Sequence, residues 1–185
     1  MSDIAKYGAT AKWLHWLIGI MVIIMLLGGQ TLESLPLSER QQIIMVHSGL
    51  GTLVLLLMIV RWYWRMNHEV PGPTSAMGPL QIRLSKWMHW GLYLLLVLQS
   101  VLGIGQAMFI ADYEVVAFGV INYSGMAAGN AELARVFHVM HGLNALVISA
   151  LVIGHIGAGL YHHFVQKDDV LRRMWPGGKV GQRSN

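Results

Sequence analysis

The sequence predicts an all-α integral membrane protein, a bundle of four transmembrane helices that forms a single domain over residues 1–185. Hydrophobic residues make up 55% of the chain and charged residues 12%, and the mean hydropathy is +0.51. Water-soluble domains of this size are less apolar. Four apolar runs are each long enough to cross a hydrocarbon core of about 30 Å. The chain is therefore expected to be surrounded by membrane lipid.

The four expected spans cover residues of about 13–32, 43–64, 87–110 and 133–164. After the second span, Pro71, Pro73 and Pro79 prevent a continuous helix, so residues 67–79 are expected to form a linker. The connection from residue 111 to residue 130 is longer than most loops. Its apolar part, Tyr113 to Ile121, is expected to form a short helix along the membrane surface.

The basic residues indicate the orientation of the chain in the membrane. Of the thirteen Lys and Arg residues, all except Arg40 and Arg135 lie on the side that carries both termini. Such a bias predicts that the N and C termini are cytoplasmic. The pI of about 9.6 reflects this topology, and no folded basic module for nucleic acid is predicted. The opposite side is net acidic, with five carboxylates: Glu33, Glu39, Asp112, Glu114 and Glu132.

The chain contains no cysteine. This excludes Cys-x-x-Cys-His attachment of a c-type haem, iron–sulfur clusters held by thiolates, and disulfides. A redox centre would have to be held by His, Met or carboxylate side chains. The twelve Met residues are scattered over all helix faces and are expected to be packing residues, so the histidines are the first candidates.

The fourth span carries two histidines, His141 and His155, fourteen residues apart. On an α-helix this spacing places both rings on one face, offset by about 40° and separated by about 21 Å along the axis. Ionisable residues inside a membrane span are costly and usually face the bundle interior, where they have a function. The spacing indicates two ligand sites at two depths.

Nine histidines can be sorted by their expected depth. Three fall near the cytoplasmic level of the spans, three near the outer level, and three at or beyond the cytoplasmic surface. The last group needs no functional explanation. The group at the cytoplasmic level is His15, His89 and His155. The group at the outer level is His47, His138 and His141, and the group at or beyond the cytoplasmic surface is His68, His162 and His163.

Helix faces select one histidine pair at each level. At the outer level His141 shares the stripe of His155 whereas His138 points about 100° away, so His47 and His141 form the outer pair. A flat macrocycle lying against a helix needs a small residue one turn away from its ligand. His15 and His155 are followed at i+4 by Gly19 and Gly159, and they form the inner pair. His89 is followed by Tyr93 and is left for another role.

Other interpretations of the four histidines stay open. Each histidine could hydrogen-bond a neighbouring helix, and small residues are common where membrane helices pack. Metal transport would favour carboxylates and a polar path, but the span interiors contain no Asp or Glu. A carrier of haem or metal remains a further class. Two b-type haems stacked across the membrane suit an apolar bundle with four histidines best.

These residues resemble the bacterial cytochrome b561 family, which are four-helix dihaem cytochromes of the inner membrane. The resemblance covers residues 13–174. It implies that His15, His47, His141 and His155 are the haem ligands and that His89 is not. The motifs that carry it are the histidine near the start of the first span, His47-x-Gly49 and Val60-Arg61 in the second, the His-x13-His spacing in the fourth, and the tail His162-His163-Phe164-x2-Lys167-Asp168-Asp169-x-Leu171-x-Arg173-Met174.

The resemblance implies electron exchange with ubiquinone and, as an activity, oxidation of superoxide at the periplasmic face. One departure concerns the outer loops, since a superoxide oxidase benefits from a cationic funnel and these loops are net acidic. An alternative class is a cytochrome b subunit that anchors a periplasmic dehydrogenase or hydrogenase. Arg61 is a candidate partner for haem propionates. His89 and His162 are candidates for the protons that quinone reduction needs.

Overall fold

The computed structural model describes residues 6–74 and 77–178. Lys179 and Arg183, which contribute to the predicted charge bias, lie outside these residues, and the side chain of Glu33 is not described either. The described part is mainly helical. Its elements are α1 (Ala9–Gly29), a 3-10 turn (Leu32–Ser34), α2 (Leu37–Asn67), α3 (Pro79–Phe109), the strands β1 (Val116–Ala117) and β2 (Ile121–Asn122), α4 (Ala131–Tyr161), a π-helical turn (His162–Gln166) and α5 (Val170–Met174).

The four long helices α1 to α4 confirm the four predicted spans, since each is long and apolar enough to cross a membrane. The boundaries differ from the prediction by several residues, most of all where α2 and α3 begin six and eight residues earlier than expected. Pro36 directly precedes α2, and Pro79 is the first residue of α3, a position that suits proline because no intrahelical N–H bond is lost. Asn130 caps α4 by accepting a hydrogen bond from the Leu133 amide at 3.1 Å.

The two ends of the bundle differ in structure. We call the end that carries the start of α1 and the end of α4 the terminal end, and the opposite end the hairpin end. The linker between α2 and α3 lies at the terminal end, as predicted. At the hairpin end, the connection between α3 and α4 contains the antiparallel strands β1 and β2.

The predicted surface helix from Tyr113 to Ile121 is wrong. This segment is a β-hairpin in which Val116 pairs with Asn122 and Ala117 with Ile121. Phe118 and Gly119 both have positive φ, at 50° and 71°, as tight hairpin turns require. The hairpin packs on the start of α2, and the Phe118 amide donates to the Met45 carbonyl at 3.1 Å. Tertiary contact with α2 therefore overrides the local preference of this apolar segment.

The helices pack as two close pairs. Helix α3 lies along α4, helix α1 lies along α2, and α2 also contacts α3. Among the described residues, α4 approaches α3 much more closely than it approaches α1 or α2. A core at mid-depth joins α1, α2 and α4 through buried apolar side chains: Ile18, Met21, Val22, Val54, Met58 and Ile148.

Large apolar side chains cover the outside of the bundle, as lipid contact requires. Leu27, Leu94 and Ile153 are examples, with 67%, 68% and 72% of their surface exposed. Aromatic residues form an exposed belt near the terminal end, where indole and phenol rings favour the membrane–water interface. This belt consists of Trp13, Trp62, Tyr63, Trp87 and Trp90.

The C-terminal segment folds back under the terminal end. The Lys12 ammonium donates to the Trp175 carbonyl at 3.1 Å, and the Trp16 indole donates to the Met174 carbonyl at 3.0 Å. Inside the fold, the His162 ring meets the Asp168 carboxylate at 2.6 Å, and both side chains are buried. The tail motif therefore fastens the start of α1 to the end of α4.

Candidate functional site

Helix α4 carries the two histidine levels. His141 lies toward the hairpin end and His155 toward the terminal end, about 21 Å apart along a helix axis. Both rings are half-buried. Each lies next to a histidine of another helix, so the structure brings together the pairs that helix faces and depth predicted.

At the hairpin end, His141 of α4 faces His47 of α2. The ring centres are 6.3 Å apart and the ring planes make an angle of 67°. The Nδ1 atom of His141 lies 3.1 Å from the Gln99 carbonyl of α3. A carbonyl only accepts hydrogen bonds, so this Nδ1 carries the proton and Nε2 is left with its lone pair free.

At the terminal end, His155 of α4 has two histidine neighbours. The ring centre of His15 in α1 is 5.9 Å away, and that of His89 in α3 is 5.4 Å away. The Nδ1 atom of His89 donates to the Ser85 carbonyl at 2.6 Å, an arrangement that also leaves its Nε2 lone pair free. The structure thus brings His15 and His155 together and places His89 slightly closer to His155.

The ring separations suit a metal ion between paired imidazoles. With metal–nitrogen bonds of about 2.0 Å, two imidazoles on opposite sides of one ion have ring centres roughly 6 to 6.5 Å apart. The pairs at 6.3 Å and 5.9 Å agree with this value. Each pair supplies two nitrogen ligands, the number that a porphyrin iron needs in addition to its four macrocycle nitrogens. The donor sets therefore fit bis-histidine haem iron.

The small residues one turn away from the rings show how much space adjoins them. A Cβ on Gly19 would meet nothing within 4 Å, so open space adjoins His15. On Gly159 and Gly51 a Cβ would be in ordinary contact with Leu171 at 3.9 Å and Met25 at 3.4 Å. Because α4 also stands away from α1 and α2, a flat macrocycle fits best beside α1 at the terminal end.

Arg61 lies at the terminal end of α2. Its Nη1 donates to the Ala11 carbonyl at 2.9 Å, and the guanidinium carbon lies 5.9 Å from the centre of the Tyr93 ring. No other hydrogen bond of this guanidinium is found among the described residues. The remaining N–H groups could therefore bind a carboxylate near His15.

The other histidines have their own contacts. His138 meets the Gln106 amide at 3.2 Å and is exposed. His68 stacks on Trp64 with ring centres 3.7 Å apart. His162 is bound to Asp168, as described above. The contacts of His138 and His68 agree with structural roles.

Two amides in the spans were missed by sequence reasoning that considered only ionisable residues. Asn144 is 8% exposed, and its Nδ2 donates to the Gln99 side-chain oxygen at 2.7 Å. The available signal was the presence of two carboxamides inside apolar spans, where polar groups need a partner. Both amides lie next to His141.

The surface at the hairpin end has mixed charge. Arg135 forms an exposed ion pair with Glu132 at 2.8 Å. A cavity of about 370 Å³ lies in the hairpin loop, with Tyr113 and Glu114 in its wall. Burial raises the pKa of the Tyr113 hydroxyl, although nearby Arg40 opposes the shift. The Tyr113 side chain therefore stays neutral, and Arg40 is the cation beside it.

Comparisons with known proteins identify the family of this chain. The model of a family described as prokaryotic cytochrome b561 matches residues 6–177. A probable superoxide oxidase of Yersinia pestis is 31% identical over 172 residues, which are 92% of this chain and 96% of the relative. Cytochrome b561 homolog 2 of Escherichia coli is 28% identical over 91% of this chain and 90% of its own length. A cytochrome b562 of Cereibacter sphaeroides is 29% identical over 87% of this chain and 89% of its own length.

Membership in a b-type cytochrome family implies a b-type haem, electron transport and a bacterial inner membrane location. Four membrane-spanning helices and the paired histidines agree with all three. The family match extends over nearly the whole described chain. The chain therefore belongs to the prokaryotic cytochrome b561 family.

Proposed function

We propose that the protein is a dihaem cytochrome that relays single electrons across the inner membrane from a periplasmic donor to ubiquinone. The observation that carries the proposal is the pair of histidine contacts that share α4, one near each end of the bundle. One helix thereby supplies a ligand to each of two sites at different depths. The charge bias of the sequence supports cytoplasmic termini, so the hairpin end would face the periplasm.

His47 and His141 would hold the outer haem, and His15 and His155 the inner one. When bound, each haem supplies a one-electron couple at its iron. With two imidazoles holding each iron, a haem would supply outer-sphere electron transfer rather than a binding position for a substrate. Arg61 would bind the propionates of the inner haem through its free N–H groups.

The chain between the two levels would exclude water. The mid-depth core contains apolar side chains of α1, α2 and α4, and Ile148, which lies between His141 and His155 on α4, is fully buried. Apolar packing of this kind offers protons and ions no hydrogen-bonding partners. It would favour the transfer of electrons alone between the two levels.

The probable superoxide oxidase among the relatives supports superoxide as the donor. Two superoxide anions would each give up one electron and leave as oxygen. Ubiquinone would take both electrons and two protons to become ubiquinol. His89, and His162 with its Asp168 partner, are the side chains proposed to pass those protons at the terminal end.

The charges at the hairpin end favour a second candidate, a membrane-anchor subunit that receives electrons from a periplasmic dehydrogenase or hydrogenase. Arg135 is paired with Glu132 and so attracts a small anion less strongly. Exposed carboxylates such as Glu114 would instead suit a protein with a basic docking surface. Such a subunit would copurify with a large partner.

The test uses the full chain purified in detergent. A pyridine haemochrome assay and reduced-minus-oxidised spectra would measure haem content, with two b haems expected per chain. A stopped-flow experiment would then mix the oxidised protein with superoxide and a soluble quinone. We expect the haems to be reduced by superoxide and reoxidised by quinone. Superoxide dismutase should abolish the reduction.

Each result separates the candidates. Two haems that superoxide does not reduce would favour the anchor subunit. One haem per chain would contradict the stacked relay. No haem, despite supply during expression, would overturn the proposal.

A further inference from the structure

A polar cluster lies inside the bundle beside His141. The Asn144 amide nitrogen donates to the Leu95 carbonyl at 3.0 Å and to the Gln99 side-chain oxygen at 2.7 Å. The Gln99 main-chain carbonyl in turn accepts the bond from His141 Nδ1 at 3.1 Å. One turn of α4, from His141 to Asn144, is therefore tied to one turn of α3, from Leu95 to Gln99.

The position of this cluster in the membrane makes its bonds unusual. Asn144 is 92% buried in a helix that is otherwise apolar at this depth. A carboxamide there is costly unless its donors and acceptors are satisfied. Both hydrogens of the Asn144 amide are used, and both go to α3. Asn144 thus fixes the rotation and the axial register of α4 against α3.

The same register controls the His141 ring. Four residues after Gln99, Gly103 lies so close to the ring that a Cβ there would be 3.0 Å from His141 Cε1. The imidazole is held between the Gln99 carbonyl and the Gly103 backbone. A small slide or rotation of α4 would either lengthen the Nδ1 bond or press the ring on Gly103.

We propose that Asn144 and Gln99 are positioning residues for His141, which keep its Nδ1–H on the Gln99 carbonyl and its Nε2 directed at the haem iron shared with His47. This inference rests on the proposed function and adds two residues to it. A hydrogen bond from the distal ring nitrogen makes an imidazole a stronger electron donor to its metal. The cluster therefore stabilises the ferric form and lowers the potential of the hairpin-end haem.

The other ligand rings lack this arrangement. For His15, His47 and His155, no hydrogen bond at Nδ1 is found within residues 6–74 and 77–178. The effect of the cluster should therefore be confined to one of the two haems. A residue pair that only joins helices would not act on one haem selectively.

The experiment compares two variants with a matched control. Asn144→Leu removes both donors with little change in volume. Gln99→Met removes the side-chain acceptor and leaves the bond from Asn144 to Leu95. Ser149→Ala is the control, because within the described residues Ser149 bonds only to the Ala145 carbonyl of its own helix, at 2.8 Å. Haem content, the two midpoint potentials and the low-temperature electron paramagnetic resonance spectrum are recorded for each protein.

We expect both variants to keep two haems and to raise one midpoint potential. A roughly tenfold shift toward the reduced form corresponds to about 59 mV for one electron. The g-values of the same haem should change, and Ser149→Ala should match the wild type. The exchange Asn144→Gln with Gln99→Asn, which keeps an amide pair, should restore the potential in part.

Two results would overturn the positioning role. In the first, both potentials and both spectra stay at the wild-type values, which leaves the cluster as a helix contact. In the second, the two haems shift equally. A failure of the proposed function is recognised separately, because wild-type protein would then lack haem or His141→Ala would retain both haems.

Discussion

At the scale of single residues, the distances at the terminal end do not decide whether His15 or His89 is the partner of His155. His155 lies 5.9 Å from His15 and 5.4 Å from His89. The open space beside Gly19 favours His15 as the ligand, because a macrocycle needs room on that face. His89 has Tyr93 one turn away, where a macrocycle would need a small residue.

The choice leads to a prediction for matched substitutions. His15→Ala should reduce the haem content from two to about one per chain, since one axial ligand is lost. His89→Ala should retain two haems and their spectra while slowing reoxidation by quinone. Pyridine haemochrome and stopped-flow absorbance measure the two effects. The opposite pattern, with haem lost only from the His89 variant, would exchange the roles of the two residues.

Sequence reasoning located the four paired histidines because depth and helix face can be read from spacing alone. It could not weigh His89 by distance, since the rotation of α3 relative to α4 depends on packing. Asn144 and Gln99 were not predicted from the sequence for a different reason. They are uncharged, and their importance follows from a contact between helices that are separated by the whole α3–α4 connection.

At the scale of elements, a glycine in α2 allows the β-hairpin to pack closely on that helix. A Cβ on Gly49 would lie 2.5 Å from the Phe118 ring. This close approach explains why Gly49 follows His47 by two residues. The hairpin thereby covers the helix turn that carries an outer histidine.

Gly49→Ala should therefore destabilise the protein. Overpacking costs about 1 to 3 kcal/mol, offset by up to about 1 kcal/mol of helix propensity. Thermal unfolding in detergent measures the difference. Gly28→Ala is the control, because its Cβ would meet nothing within 4 Å. Adding Phe118→Gly to Gly49→Ala should recover much of the lost stability. Equal melting temperatures for Gly49→Ala and Gly28→Ala would show that hairpin packing does not require a glycine at residue 49.

The fold-back of the tail gives a second prediction at this scale. Asp168 accepts bonds from His162 at 2.6 Å and from the Val170 amide at 2.9 Å, in a buried position. Asp168→Ala should lower the free energy of unfolding by about 1.5 to 3 kcal/mol, as for buried bonds to a charged group. Asp169→Ala should cost less than about 1 kcal/mol, because its pair with Arg172 is long and partly exposed. Similar losses in chemical unfolding would contradict the special role of Asp168.

The elements show where local sequence is sufficient. The apolar runs, and the prolines in the linker after the second run, were enough to predict α1 to α4 within several residues. The hairpin was mistaken for a helix because its two-residue strands are too short to show alternation clearly. Its geometry depends on Ala117, which is 1% exposed, and on the contact with α2, neither of which is a local property.

At the scale of the whole molecule, the topology can be tested directly because the chain has no cysteine. Val120, at the tip of the hairpin, is 82% exposed, and Glu69 is exposed in the linker at the terminal end. With cytoplasmic termini, Val120→Cys should react with a membrane-impermeant maleimide in intact spheroplasts. Glu69→Cys should react only after lysis. The reverse labelling pattern would overturn the proposed orientation.

The two histidine pairs also have a consequence for biosynthesis. Chains emerge from the ribosome N-terminus first, so His15 and His47 enter the membrane with α1 and α2, each without its partner ring. His141 and His155 both arrive with α4, the last span. Neither pair can form in a chain that stops before α4. Completion of the two proposed sites is therefore the final step of assembly, and a product truncated before α4 lacks one proposed haem ligand at each level.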